Sequence, residues 1–160
     1  MKNKKLTHYS KRGRAQMVDV SNKPASQRQA RAHAFVKMKP ALVRQIRRLA
    51  VPKGNPLEVA RIAGIAAAKR TAELIPLCHP LPLTHIDVQA QLCQNGVRLT
   101  SSVRCAGPTG VEMEALTAVA VAALTIYDMC KGLDRSLKIS DLFLVEKCGG
   151  KSGIWYRRRG

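Results

Sequence analysis

An aspartate and a lysine three residues apart, Asp128 and Lys131, follow an uncharged run from Ala118 to Tyr127. On a helix that spacing puts both side chains on one face. An intrahelical ion pair is the plain reading. Yet a carboxylate and an ammonium beside a buried stretch are costly unless both are used. Such a pair can transfer protons or stabilise developing charge. Lys53, in Lys53-Gly54, can present a further ammonium near a helix N-terminus.

Glu112 and Glu114 open the same long helix. Glu112 has a structural explanation as the far side of a capping box with Thr109, and Glu114 sits near the positive end of the helix dipole. Leu77-Cys78-His79 lies among Pro76, Pro80 and Pro82, and three prolines can hold His79 in fixed geometry. An incidental histidine in a structural loop is the alternative. Cys78 beside His79 does not make a metal site, because adjacent residues rarely converge on one ion and no C-x-x-C pair is present. Neither a metal nor a cofactor is expected. Lys147-Cys-Gly-Gly-Lys151-Ser-Gly153 resembles a phosphate loop but fails the Walker pattern, since Val145 stands where a glycine is needed. Its glycines and lysines can still approach an anion; a solvated turn is the competing reading.

These residues need elements to place them. Arg28 to Met38 reads as a strand, with Ala30, Ala32, Ala34 and Val36 on one face. A short basic helix follows from Pro40 to about Leu49. Asn55 caps the next helix, with Pro56 at its first position and Glu58 three after the cap, and Leu57 to Leu74 continues it until Pro76. Ile86 to Leu92 and Val97 to Cys105 alternate as two strands around the hairpin signal Asn95-Gly96. A helix covers Val111 to about Leu133 and is apolar almost all round from Ala115 to Met129. Leu137 to Val145 closes the series as a strand. This order predicts an α+β fold of ferredoxin-like type, an antiparallel sheet with helices on one face. The all-round apolar helix predicts an oligomer. Residues 1–16 read as a basic flexible segment, 17–156 as a single catalytic domain and 157–160 as a basic tail.

The chain has 160 residues, 28 Lys plus Arg and 10 Asp plus Glu, for a formal charge of +18. That charge implies anionic partners. Aromatics are only 4% of the chain and scattered, so base stacking on an RNA face is poorly served and nucleic acid is not expected as a functional partner. No stretch reads as a membrane span, and the basic N-terminus lacks the apolar run of a signal peptide. Five cysteines form an odd set and read as reduced thiols of a cytoplasmic protein.

Seven ordered segments resemble the cyclic pyranopterin monophosphate synthase family of molybdenum cofactor biosynthesis. They are Met17-Val-Asp-Val-Ser21, Ala60-Arg-Ile-Ala-Gly64, Ala67-Ala-Lys69, Leu74-Ile-Pro-Leu-Cys-His-Pro-Leu81, Thr109-Gly-Val-Glu-Met-Glu-Ala-Leu-Thr-Ala118, Leu124-Thr-Ile-Tyr-Asp-Met-Cys-Lys131 and Gly149-Gly-Lys-Ser-Gly153. The resemblance implies a lyase that rearranges cyclised dihydro-GTP to the pyranopterin, closes a cyclic phosphate and releases diphosphate. It also implies a homohexamer, three dimers with active sites at subunit interfaces.

By the same resemblance Asp128, Lys131 and Lys53 are catalytic. Leu77, Cys78 and His79 form one substrate-binding segment, and Met113 with Glu114 a second. Glu112, Lys69, Arg28, Lys147 and Lys151 line the pocket. Two positions depart from the family pattern: Asn55, where Asp is usual after Lys-Gly, and Pro108, where many members carry a polar or basic residue. Asn and Asp both cap helices, so the fold is expected to survive the first change.

Overall fold

The computed structural model describes residues 13–151 and 153–158. The basic segment expected over residues 1–16 lies mostly outside them, as does Ser152 of the glycine loop. The elements run β1 (Ser26–Lys37), α1 (Pro40–Arg47), α2 (Pro56–Lys69), α3 (Thr71–Leu74), β2 (Leu83–Cys93), β3 (Gly96–Gly107), α4 (Glu112–Cys130), β4 (Lys138–Cys148) and β5 (Trp155–Tyr156). One antiparallel sheet has the order β2-β3-β1-β4-β5.

The alternation expected in β1 and β3 is what packs. Ala30, Ala32, Ala34 and Val36 are buried beside Val97, Leu99, Ser101, Val103 and Cys105. Helices α2 and α4 cover that face. Arg31, Arg98 and Arg104 point to the opposite face and are exposed. Small residues let the layers approach closely. A Cβ on Gly64 of α2 would stand 2.8 Å from the Ala118 carbonyl oxygen of α4 and 3.2 Å from Val88 Cγ1 of β2. Gly64→Val is therefore expected to destabilise the chain by about 3 kcal/mol through overpacking, against a helix-propensity gain of only about 0.4 kcal/mol. A urea midpoint within error of the parent would contradict this packing account.

Several boundaries differ from the sequence reading. The helix expected over Leu57–Leu74 breaks at Arg70, where the Thr71 hydroxyl donates to the Ala68 carbonyl at 3.0 Å. Such back-bonding competes with the regular ladder. Helix α4 starts at Glu112 without a side-chain cap and ends at Cys130, so the Thr109 capping box does not form. The Asn55 cap does form, its Oδ1 accepting from the backbone N–H groups of Leu57 and Glu58 at 3.1 and 3.4 Å. Glu58 turns instead to Arg61. In the expected tail, the Arg157 N–H donates to the Val145 carbonyl at 2.8 Å and its guanidinium lies 4.5 Å from the centre of the Phe143 ring.

Contrary to the sequence reading, α4 is long and apolar enough to cross a membrane by length and composition. It is nonetheless the core helix, packed against α2, β1, β3 and β4.

Candidate active site

Asp128 lies on the last turn of α4, and Lys131 is the first residue beyond it, its N–H still donating to the Tyr127 carbonyl at 2.8 Å. Lys53 arrives from the connection between α1 and α2. Buried Val51 anchors that connection, and a turn closes it where the Gly54 N–H donates to the Val51 carbonyl at 3.0 Å. Gly54 has φ +94, a conformation that favours glycine. The result is a carboxylate between two ammonium groups. Lys131 Nζ is 2.7 Å from Asp128 Oδ1, and Lys53 Nζ is 3.1 Å from Oδ2 and 3.0 Å from the Asp128 carbonyl oxygen.

Hydrogen bonds from Lys131 and then Lys53 hold the Asp128 carboxyl below its ordinary range. The hydrogen bond to Asp128 in turn pushes Lys131 up. Lys131 is therefore a firm cation in the single chain, suited to holding negative charge. It is not the lowered-pKa lysine that neighbouring cations alone would make. All three side chains are more than half exposed, so the cluster adds little to stability. The neighbouring Cys130 thiol is pushed up to about 11 by burial and is no nucleophile.

The other end of α4 faces a cavity of about 700 Å³ lined by Arg28, Glu112, Lys147 and Lys151. Lys147, near the end of β4, donates to Glu112 Oε1 at 2.7 Å. This long-range pair draws Glu112 away from a capping role. Arg28 donates to the carbonyls of Gly107 and Pro108 at 3.4 and 3.3 Å. The backbone of Gly149-Gly150 lies directly against it, and a Cβ on Gly150 would overlap the guanidinium. Pro108 thus contributes its carbonyl, which any residue there could supply. Ser26 Oγ is buried in the same wall without a hydrogen-bond partner.

A second cavity of about 310 Å³ adjoins, lined by Leu77, Cys78, His79, Met113 and Glu114, and it shares Lys23, Thr109, Gly110 and Glu112 with the first. His79 Nε2 donates to the Val18 carbonyl at 2.7 Å, which ties the segment before β1 over this cavity. Glu114 is 4% exposed. Burial pushes its carboxyl up, its own backbone N–H opposes this and Glu112 adds to it. Burial likewise raises the Cys78 thiol, which is then a polar wall rather than a nucleophile. Lys69 lines a small cleft of about 140 Å³ with His79 and Glu114.

All thirteen candidate residues thus fall into two groups. Asp128, Lys131 and Lys53 form one; the ten others surround the connected cavities. At roughly 1.5 Å per residue, Asp128 lies about 24 Å along α4 from Glu112. Sequence reasoning missed Lys23, Ser26 and Thr109 in the cavity walls. The Met17–Ser21 segment, just before Lys23, was the available signal.

A sequence model of the MoaC family matches residues 17–150. The chain is 56% identical over 154 residues to cyclic pyranopterin monophosphate synthase 1 of Mycobacterium tuberculosis, covering 96% of this chain and 90% of that protein. It is 55% identical over 150 residues to cyclic pyranopterin monophosphate synthase of Herpetosiphon aurantiacus, covering 92% of each.

Proposed function

The chain belongs to the MoaC family, and from that premise we propose that it is a cyclic pyranopterin monophosphate synthase of molybdenum cofactor biosynthesis. Its substrate is 3',8-cyclo-7,8-dihydroguanosine triphosphate; its products are cyclic pyranopterin monophosphate and diphosphate, which makes it a phosphorus-oxygen lyase. One observation carries this reading beyond the relatives' names. A cationic cavity large enough for a nucleotide lies at one end of α4, and a carboxylate with two lysines at the other.

In this proposal Arg28, Lys147 and Lys151 take the phosphates, and Leu77 to His79 with Met113 and Glu114 take the ring system. Glu114, holding its proton to higher pH than an ordinary glutamate, can donate a hydrogen bond there. Asp128 orients Lys131 and Lys53, whose charges meet the diphosphate as its bond to the remaining phosphate breaks.

The two groups meet only if a second copy supplies one of them. Packing α4 antiparallel across a two-fold axis sets Asp128 of one copy opposite the cavities of the other. Val59 and Ile62 of α2 and Leu124 of α4 are exposed apolar residues that such an interface would cover. The βαββαβ element order and the sheet order support a ferredoxin-like plan. A homohexamer of three dimers and a cytoplasmic location belong to the same proposal.

The direct test supplies the cyclised dihydro-GTP to purified protein. Stoichiometric diphosphate and pyranopterin are expected; intact substrate after prolonged incubation with properly assembled protein would refute the assignment. Gly150→Ala tests the phosphate subsite. Its Cβ displaces Arg28, so KM should rise roughly tenfold, the loss of one charged hydrogen-bonding group, while kcat changes little. An unchanged KM would remove Arg28 from substrate binding.

A further inference from the structure

One end of the sheet carries a cationic surface that the proposed chemistry does not use. Arg44, Arg47 and Arg48 lie on or just beyond α1, all exposed, while the apolar side of that helix, Leu42, Val43 and Ile46, is spent in the core. Their spacing makes them neighbours on one helix face. Lys39 precedes the helix, and Lys37 and Lys138 stand directly opposite each other across β1 and β4, all exposed. Like charges in that position are destabilising unless an anion offsets them. None of these six side chains belongs to an ion pair among the described residues. Asp134, a buried acid, accepts from the Lys39 N–H at 2.9 Å and from Ser136, and of the six cations its electrostatics involve Lys39.

We propose that this surface docks the phosphate backbone of a nucleic-acid duplex without reading its sequence. Three observations select that occupant. None of the six cations lines the cavities of about 700, 310, 170 and 140 Å³, whereas a small nucleotide needs a concave site. From Lys39 to Arg48 the patch runs about 14 Å at helical rise, long enough to follow about four phosphates of one strand at 3.4 Å each. Helix α1 carries no aromatic side chain to stack on unpaired bases, its apolar side is in the core, and the exposed Leu49 just beyond it is a single apolar side chain, too little to enter a lipid surface. The scattered aromatics that argued against an RNA-stacking face do not bear on a backbone contact.

The test measures binding of a fluorescein-labelled mixed-sequence 20-base-pair DNA duplex by anisotropy over a salt series, using the full chain. The triple variant R44Q/R47Q/R48Q should bind at least about tenfold more weakly near physiological salt, with a log–log salt slope reduced by about 3, close to 0.9 for each cation removed. K37Q/K138Q should weaken binding by a smaller factor and lower the slope by about 2. Turnover of the cyclised dihydro-GTP should be unchanged in both, since neither touches the proposed active site. Affinity within twofold of the parent in both variants would overturn the proposal. So would unchanged duplex binding with a salt-dependent fall in kcat/KM, which would make the patch a collector of anionic substrate. Unchanged duplex binding with lost binding to phosphatidylserine vesicles would overturn it too, in favour of a membrane surface.

Discussion

Asp128→Asn and Lys131→Ala should each lower kcat by about a thousandfold, the scale for removing a general acid or a charge aimed at a leaving group. Asn keeps the size and one acceptor of Asp128 but removes the charge that holds both lysines. Lys131→Ala removes the ammonium 2.7 Å from that carboxylate. Because all three side chains are more than half exposed, the thermal midpoint and the assembly should stay at parental values. That contrast separates a catalytic role from a structural one. The pH profile adds a sign. The folded-state pKa of Asp128 is lowered, so its small stabilising effect is present above the ordinary aspartate range and disappears as pH falls through the lowered value. Glu114, whose carboxyl is raised and which is proposed to donate a hydrogen bond while protonated, has the opposite sign: its contribution is lost as pH rises through its raised value. If either variant keeps near-parental turnover, its assignment as catalytic is wrong.

Local signals in the chain foretold most of the framework. Alternating Ala30 to Val36 and Val97 to Cys105 are the buried faces of adjacent strands because a period of two can serve only one core. Asn55-Pro56 acts within a few residues and caps α2 as its side chains dictate, whereas the hairpin signalled by Asn95-Gly96 turns one residue earlier, on Gln94-Asn95, with Gly96 paired to Cys93 inside β3. The misreadings involve forces from further away or elements too short to leave a pattern. Glu112 abandons the capping box for Lys147, which lies 35 residues away in the chain. Strand β5 has two residues and reads as nothing by itself. The resemblance named the site residues, but their division between the two ends of α4 is a property of the folded helix. A residue list has no length in ångströms, and α4 supplies one.

That division leads to the second large effect, restoration of activity by mixing two inactive proteins. Replacing Arg28, Lys147 and Lys151 together by Ala strips the cavity end of the cations proposed to hold the phosphates, so turnover falls to background, and it leaves Asp128, Lys131 and Lys53 intact. Lys131→Ala does the reverse. Within one chain the two groups lie too far apart for a single substrate to touch both, and no single-chain rearrangement shortens a packed core helix. In an antiparallel pair of copies each site takes its cavity from one chain and its lysines from the other. A mixed pair then contains one site with both defects and one with neither. Random one-to-one assembly makes half the pairs mixed, so about a quarter of the parental activity should return. Each variant alone stays near background, and co-expression with two different tags yields the mixed species for assay. Sites contained within single chains predict no recovery at any mixing ratio, because every chain would carry its own lesion. Background activity in a verified mixed assembly would therefore eliminate the shared site, and with it the antiparallel pairing of α4.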